Sequence, residues 1–377
     1  MRIMKVTLLI LVLFLGLQAG VALATESQDV ELTFTGRTMF QIHYDTSLLA
    51  QDYSSYLKVE DPTRDELNFN PRDTRIGFKA VTREDAWTYS SVFEIDFYGT
   101  NESNNLIPRL RHGYAEVAND NGFSLRGGQD WLPIAQQNPG TVDFGILSWG
   151  GNLWWRVPQF TVRYQQDKIG ALVSIAKHRN SNDQEIAEDM PWVMGRVELK
   201  DVLVAKSVVA VGGGFRSVTI DGHSYDPSIV CAEFKLPLPF GGIVVNGEAY
   251  TGKGIGRSFV HYGLDYNPDH ASGARDISSI GGFVSVKVPV MEKVDINFGY
   301  GVDNPEDEDL VAPARVEEDD EYYQAPYKKN SVLFANAKYR INKRFGTGVE
   351  LTNYETIAFC GKVFDGQRFT FAWWFVF

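Results

Sequence analysis

Cysteine is nearly missing from this chain, with 2 in 377 residues. That excludes a disulfide-stapled scaffold and a cysteine-based zinc cluster, and Cys231 and Cys360 together allow at most one bridge. Long apolar runs are missing too. After the amino-terminal leader no stretch reaches 18 consecutive apolar residues, so the mature chain cannot cross a membrane as helices. Positive charge is in deficit: 36 Lys and Arg stand against 48 Asp and Glu, a net charge of -12. A nucleic-acid partner is thereby disfavoured, since phosphate binding needs a basic surface. The signatures of catalysis are equally scarce, with no G-x-S-x-G, H-E-x-x-H, C-x-x-C or Walker loop. Gly252 to Arg257 carries the glycines of a phosphate cradle without the following Ser or Thr, and reads as a flexible surface loop. The histidines His43, His112, His178, His223, His261 and His270 show no ligand spacing, so neither a metal nor another cofactor is expected. The expectation is a protein that is not an enzyme.

The chain is rich in aromatics (13%) and in glycine (35 residues), a balance suited to many strands joined by tight turns. At its start, Arg2 and Lys5 precede an apolar run from Val6 to Leu17, and Ala22-Leu23-Ala24 supplies small residues for a signal peptidase. Residues 1–24 are therefore expected to be a cleaved signal peptide, leaving 25–377 as one domain. After residue 30 apolar residues recur at period two. Leu32, Phe34, Thr38, Phe40, Ile42 and Tyr44 share one face, with Arg37, Gln41 and His43 on the other. Trp87, Tyr89, Phe93, Ile95 and Phe97 oppose Thr88, Glu94 and Asp96, and the chain ends on Phe369, Phe371, Trp373, Phe375 and Phe377 opposing Arg368 and Thr370.

This pattern predicts sixteen strands, near 31–44, 71–81, 86–99, 108–118, 122–131, 159–166, 169–179, 190–200, 202–217, 227–238, 242–251, 276–289, 293–303, 330–341, 345–356 and 367–377. Their linkers alternate between short turns, such as the single residue Asp201, and long loops at 45–70, 100–107, 132–158, 180–189, 218–226, 252–275, 304–329 and 357–366. A sandwich has no reason to place every long loop at one end. An even strand count with turns at one rim and loops at the other marks an all-β transmembrane antiparallel barrel of the bacterial outer membrane, with periplasmic turns and extracellular loops. Aromatics near strand ends, Trp87, Tyr89, Phe123, Trp131, Trp192 and the run Phe371 to Phe377, suit interfacial girdles. The terminal Phe377 resembles the carboxy-terminal signal of Gram-negative outer-membrane proteins.

If the apolar faces meet lipid, the lumen receives a row of ionisable side chains, tolerable only where water fills it. The residues singled out as pore-lining are Arg37, Arg75, Lys79, Glu94, Asp96, Arg126, Asp130, Arg163, Arg196, Lys338 and Arg340. Bases exceed acids on this inward face, which leans selectivity toward anions. Facing acids that pair with those bases would instead merely brace the wall. Segment 304–329 is strongly acidic and reads as a solvated loop. The third long loop, 132–158, is rich in aliphatic residues and Trp where an exposed loop should be polar, so it needs a place to bury itself. Folding into the barrel would provide one and make Gln136, Gln137, Asp143 and Arg156 constriction residues. Packing on a neighbouring subunit is the compatible alternative.

The blocks Asn70 to Phe78, Phe93 to Gly99, Arg109 to Glu116, Leu125 to Trp131 and Val157 to Tyr164 resemble, in order, those of the DcaP-like trimeric outer-membrane porins. The likeness covers about residues 70 to 166, and beyond them only strand rhythm agrees. It implies a sixteen-stranded homotrimeric pore with an inward third loop that passes small anionic solutes such as dicarboxylates. The matching basic positions are Arg75, Arg109, Arg111, Arg126 and Arg163. One strand resists assignment: Arg109 and Arg111 share a face with Ala115, while His112 and Glu116 lie on the other, so only a bulge keeps both sets from lipid. The expected function is passive diffusion of small hydrophilic solutes through a water-filled channel, with outer-membrane lipid around it. A sugar- or phosphate-selective channel is the alternative, for which Tyr98, Trp149, Trp154 and Trp155 would begin an aromatic track. A membrane-embedded hydrolase is more remote, as no Ser and His pair on an outward ridge.

Overall fold

The computed structural model describes residues 30–47, 49, 65–99, 106–177, 190–220, 222–260, 265–267, 270–310, 327–358 and 361–377. The leader, Cys360 and the core of the acidic segment, including Glu317 to Glu321, lie outside them.

Sixteen antiparallel strands form one closed wall. They are β1 (Glu31–Asp45), β2 (Arg75–Glu84, continued upstream by Glu66–Asn70), β3 (Trp87–Gly99), β4 (Ile107–Asn119), β5 (Phe123–Trp131), β6 (Arg156–Gln166), β7 (Ile169–Ala176) and β8 (Trp192–Lys200). The second half comprises β9 (Val208–Phe215), β10 (Ser228–Pro237), β11 (Val244–Lys253), β12 (Ser278–Met291), β13 (Val294–Pro305), β14 (Tyr327–Arg340), β15 (Phe345–Ala358) and β16 (Val363–Val376). Each strand pairs with its neighbours in sequence, and β1 closes the ring on β16 from Arg37 opposite Val376 to Asp45 opposite Arg368. No backbone edge is left for hydrocarbon.

Alternation along the strands decides what faces outward. Val173, Val211, Val230, Ile280, Leu333 and Val349 are all at least half exposed, while the residues between them turn inward. Lipid or a neighbouring subunit would make such a surface stable. No helix among the described residues is long and apolar enough to cross a membrane.

Four sequence expectations need correction here. The strand expected over 71–81 is broken: Pro71 has no N–H to give a ladder, the Thr74 N–H bonds back to the Pro71 carbonyl at 3.0 Å, and the Arg72 N–H bonds the Asn70 side chain at 2.9 Å. The expected one-residue turn at Asp201 spans 201–207. Val202, Leu203 and Val204 look like strand but are gathered by Ser207, whose hydroxyl accepts from the amides of Leu203 and Val204, both at 3.3 Å. Loop 357–366 is four residues long, because β15 and β16 extend until Ala358 and Lys362 pair at 2.9 Å. Gly252 to Arg257 is not a flexible surface loop: Lys253 ends β11 and Ile255 is fully buried.

The strand that could not be oriented contains the bulge it needed. Glu94 pairs with His112 but Ile95 pairs with Leu110, so Arg111 is an extra residue, and both Arg111 and His112 turn inward.

Candidate functional site

The segment between β5 and β6 runs from Leu132 to Trp155, three residues shorter than expected, because Arg156 to Pro158 already belong to β6. Its apolar residues drive it against the inner wall. Leu132, Ile134, Leu153, Trp154 and Trp155 are nearly or wholly buried, in one cluster with Trp192 and Met194 of β8, Ile229 of β10 and Tyr250 of β11. Trp154 stacks on Trp155 at 4.5 Å, and Phe144 stacks on Tyr98 at 4.1 Å. Each such ring contributes on the order of 1.5–3 kcal/mol on burial. Tyr98, Trp149, Trp154 and Trp155 are therefore largely packed as a core beneath the loop, with Trp154 also on the lining of the cavity beside it.

A loop buried this deeply must satisfy its backbone, and the wall supplies the partners. The amides of Gln136 and Gln137 both donate to Glu233 of β10, at 2.6 and 2.5 Å. Those of Val142 and Asp143 donate to Glu350 of β15, at 2.6 and 3.2 Å, and that of Leu153 donates to Glu248 of β11. Wall side chains reach the carbonyls in turn: Asn336 that of Gly140 at 2.9 Å, Lys338 that of Thr141 at 2.8 Å, and Asn330 that of Trp149 at 2.6 Å. At the tip, Asp143 pairs with Arg368 at 3.1 Å, and Arg368 also holds Asp45 at 2.7 Å. Burial would raise the Asp143 carboxyl, but Arg368 beside it holds it below the usual carboxylate range.

Opposite the loop lies an arc of bases. A cavity of about 310 Å³ separates loop residues Asn138 to Ile146 from Arg37 of β1, Arg75 of β2, Arg111 of β4 and Arg156 of β6; Lys338 of β14, bonded to the loop at Thr141, also lines it, with Asp73 and Asp143 the acids on its lining. A second cavity of about 410 Å³ adjoins it across Trp131, lined by Arg126, Arg163, His112 and Asp130, with Gln136 from the loop. Many of the bases are paired. Asp73 bonds Arg37, and Arg75 at 2.9 Å; Asp96, fully buried, holds Arg109 at 2.7 Å and Arg111 at 2.8 Å; Arg126 bonds Asp130, and Glu116 at 2.6 Å. Arg156 has no ion pair among the described residues and lies over Trp131 at 4.7 Å. Arg163 likewise makes no salt bridge among them, and lines a small cavity with Glu198, which pairs with Arg196 and Lys200.

No protein-family model matches the sequence, and no curated protein does. Solved structures do. The outer membrane channel DcaP of Acinetobacter baumannii superposes with a TM-score of 0.76 at 17% identity, over 92% of this chain and 97% of that one. The chain has the fold of an outer-membrane porin. An anion-selective porin from Comamonas acidovorans follows with a TM-score of 0.65 at 12% identity, covering 93% of this chain and 100% of the other. OmpF of Salmonella typhi, in complex with daunomycin, gives 0.59 at 10%, over 92% and 97%.

Within this porin fold the residues expected to line the pore divide. Arg37, Arg75, Arg126, Asp130, Arg163 and Lys338 border the two cavities, as do Gln136, Asp143 and Arg156. Arg156 does so from the first position of a strand instead of from the loop. Arg196 does not face open lumen: it is buried under the loop root, bonding Glu233 and donating to the Ile134 carbonyl at 2.9 Å. Gln137 contributes its amide to Glu233 and borders neither cavity. Glu94 and Asp96 stand behind the arc as partners of Arg111, Lys79 lies nearer the turn rim, and Arg340 pairs with Asp295 at 2.5 Å at the turn rim, beside the turn that leads from β14 to β15. Among the expected girdle aromatics, Trp192 is fully buried and Trp131 faces inward, whereas Trp87, Phe123, Phe371, Trp373 and Phe375 are exposed on the outside. Cys231 is a free buried thiol donating to the Ile134 carbonyl at 3.2 Å, so it forms no disulfide. The acidic segment is not wholly solvated either, since Asp309 is buried and accepts from the Ser278 amide at 3.0 Å.

Proposed function

We propose that this chain, exported with removal of residues 1–24, forms a homotrimeric outer-membrane porin through which small hydrophilic solutes diffuse passively, with preference for anions such as dicarboxylates. One observation carries the preference. Between the loop and the wall, five basic residues face two acids, and one of those acids, Asp143, is engaged by Arg368. A solute at that level meets a net positive field from water-filled walls, which lowers the barrier for an anion and raises it for a cation. The name of the Comamonas acidovorans neighbour, an anion-selective porin, supports the same reading. Passage needs no chemical step. Arg37, Arg75, Arg111, Arg126, Arg156, Arg163 and Lys338 would set the field, and Asp73, Asp96 and Asp130 would hold the bases in place.

The test is conductance of the refolded protein in planar bilayers across a salt gradient. Conductance in steps of three, with a reversal potential of the anion-selective sign, is the expected outcome. A folded, inserted protein without conductance would refute the channel, and a cation-selective reversal potential would refute the role of the basic arc.

A further inference from the structure

The rim of turns changes character along the barrel. Between β8 and β9 its crown is Val202-Leu203-Val204, between β10 and β11 it is Leu238-Pro239-Phe240, and β12 ends on Val290-Met291. Leu203, Phe240 and Met291 are 64%, 63% and 69% exposed, more than Val197, Val211, Val230 or Val284 on the outward wall above them. Turn geometry puts Phe240 there. Gly241 and Gly242 both have φ +63°, the left-handed pair that a tight hairpin turn needs, and the Ile243 N–H returns to the Phe240 carbonyl at 3.4 Å. From Leu236 to Gly247 no residue is charged. On the arcs to either side the crowns instead carry Asp85, Asp120, Asp167 and Lys343, all exposed.

Apolar side chains held this far out are costly in water, and three successive crowns of them mark an interaction surface. Two features choose the partner. Crowns of successive hairpins stand two strands, about 10 Å, apart along the rim, so they are separate fingers and not one contiguous patch. A stable protein interface needs a contiguous, complementary surface, whereas fluid acyl chains fill in around isolated fingers. Each finger also prolongs an apolar file of the outer wall: Val197 and Leu199 lead into Val202 and Leu203, Val230 and Phe234 into Phe240, and Val284 into Val290. Lys206 flanks the first finger, a side chain long enough to keep its charge at the headgroups while its stem lies among apolar neighbours. We infer that the turn arc from β8 to β13 is seated in the periplasmic leaflet of the outer membrane, its three crowns among phospholipid acyl chains, while the charged crowns on either side stand in the periplasm. The leaflet therefore meets this arc of the rim lower than the rest. The inference holds whether or not the barrel conducts.

The test uses the whole chain, with both native cysteines replaced by serine, folded into phosphatidylcholine vesicles. Leu203→Cys, Phe240→Cys, Asp120→Cys and Asp167→Cys are made one at a time and labelled with bimane, and heat-modifiable gel mobility confirms that each is folded. Two quenchers are compared: a phosphatidylcholine with a nitroxide on its acyl chain, and iodide present on both faces of the membrane. Labels at 203 and 240 are expected to lose most of their fluorescence to the nitroxide lipid, to emit further to the blue, and to be quenched by iodide several-fold less than labels at 120 and 167. The label itself is the same at all four sites, so its own affinity for lipid cannot produce the contrast. Equal iodide quenching at the four sites would overturn the inference, because the apolar crowns would then stand in water. Labels at 203 and 240 shielded from both quenchers would overturn it too, because a protein surface would then cover the crowns. If Phe240→Cys fails to insert, Met291→Cys takes its place with the same expected outcome.

Discussion

Arg163 offers the cleanest measure of whether the basic arc sets selectivity. It borders the wider cavity and makes no salt bridge among the described residues, and the nearby Glu198 is paired with Arg196 and Lys200, so replacing it by Gln removes a charge without stranding another. An ion passing about 5 Å from the guanidinium in a water-filled lumen feels about 0.8 kcal/mol, taking the dielectric constant of water. Screening over about half a Debye length at 0.1 M salt reduces this to about 0.5 kcal/mol. An anion loses that stabilisation and a cation loses an equal repulsion, so the two shift apart by about 1 kcal/mol, or about fivefold in permeability ratio. The assay is the reversal potential across a tenfold KCl gradient, with the same measurement on Arg340→Gln, a residue at the turn rim already paired with Asp295. The shift for Arg163→Gln should exceed that for Arg340→Gln and should shrink in 1 M salt. An unmoved reversal potential for Arg163→Gln, or equal shifts for the two, would falsify the view that the inner arc governs the field.

Arg368→Met leaves Asp45 and Asp143 buried without their shared cation, and a loss of about 3–5 kcal/mol is expected. The check is the denaturant midpoint by heat-modifiable gel mobility, and an unchanged midpoint would mean that the two carboxylates find other partners. Gly301→Ala places a methyl group against the Gly150 carbonyl oxygen, so the loop must move. Faster proteolysis within 132–155 is expected, and resistance equal to the parent's would count against that contact. Trp155→Ala removes a ring from the loop core and its bond to the Phe259 carbonyl, at a cost of about 3–5 kcal/mol, read by the same gel assay.

The barrel was legible because period two is a local property. Leu32 to Tyr44 and Trp87 to Phe97 declare their faces within a dozen residues, and turn chemistry punctuates them. The same locality misled where a turn is apolar, as at Val202 to Val204, and where a strand is interrupted without a change of composition, as at Pro71 to Thr74. Trp131 and Trp192 read as girdle residues because a strand end looks alike on both faces; only the incoming loop shows which ends are covered. At the site, the inward placement of Glu233, Glu248 and Glu350 was readable from alternation. Their partners were not, since the amides they grip lie about a hundred to two hundred residues away and an amide carries no side-chain signature.

The closure of β1 on β16 also governs the order of assembly. The first strand cannot find its partner until the last fourteen strand residues have been delivered, so the wall has no finished sub-ring to form early. Contacts that span nearly the whole chain carry a high loop-closure cost and make for slow folding. Meanwhile the tryptophans of 132–155 wait for β8 to β15, most of which follow them by a hundred residues or so. Until the ring shuts, these rings and the outward valines share one solvent. The interval before closure is therefore when this chain is most exposed to aggregation, and substitutions that slow closure will reduce yield before they alter the finished barrel.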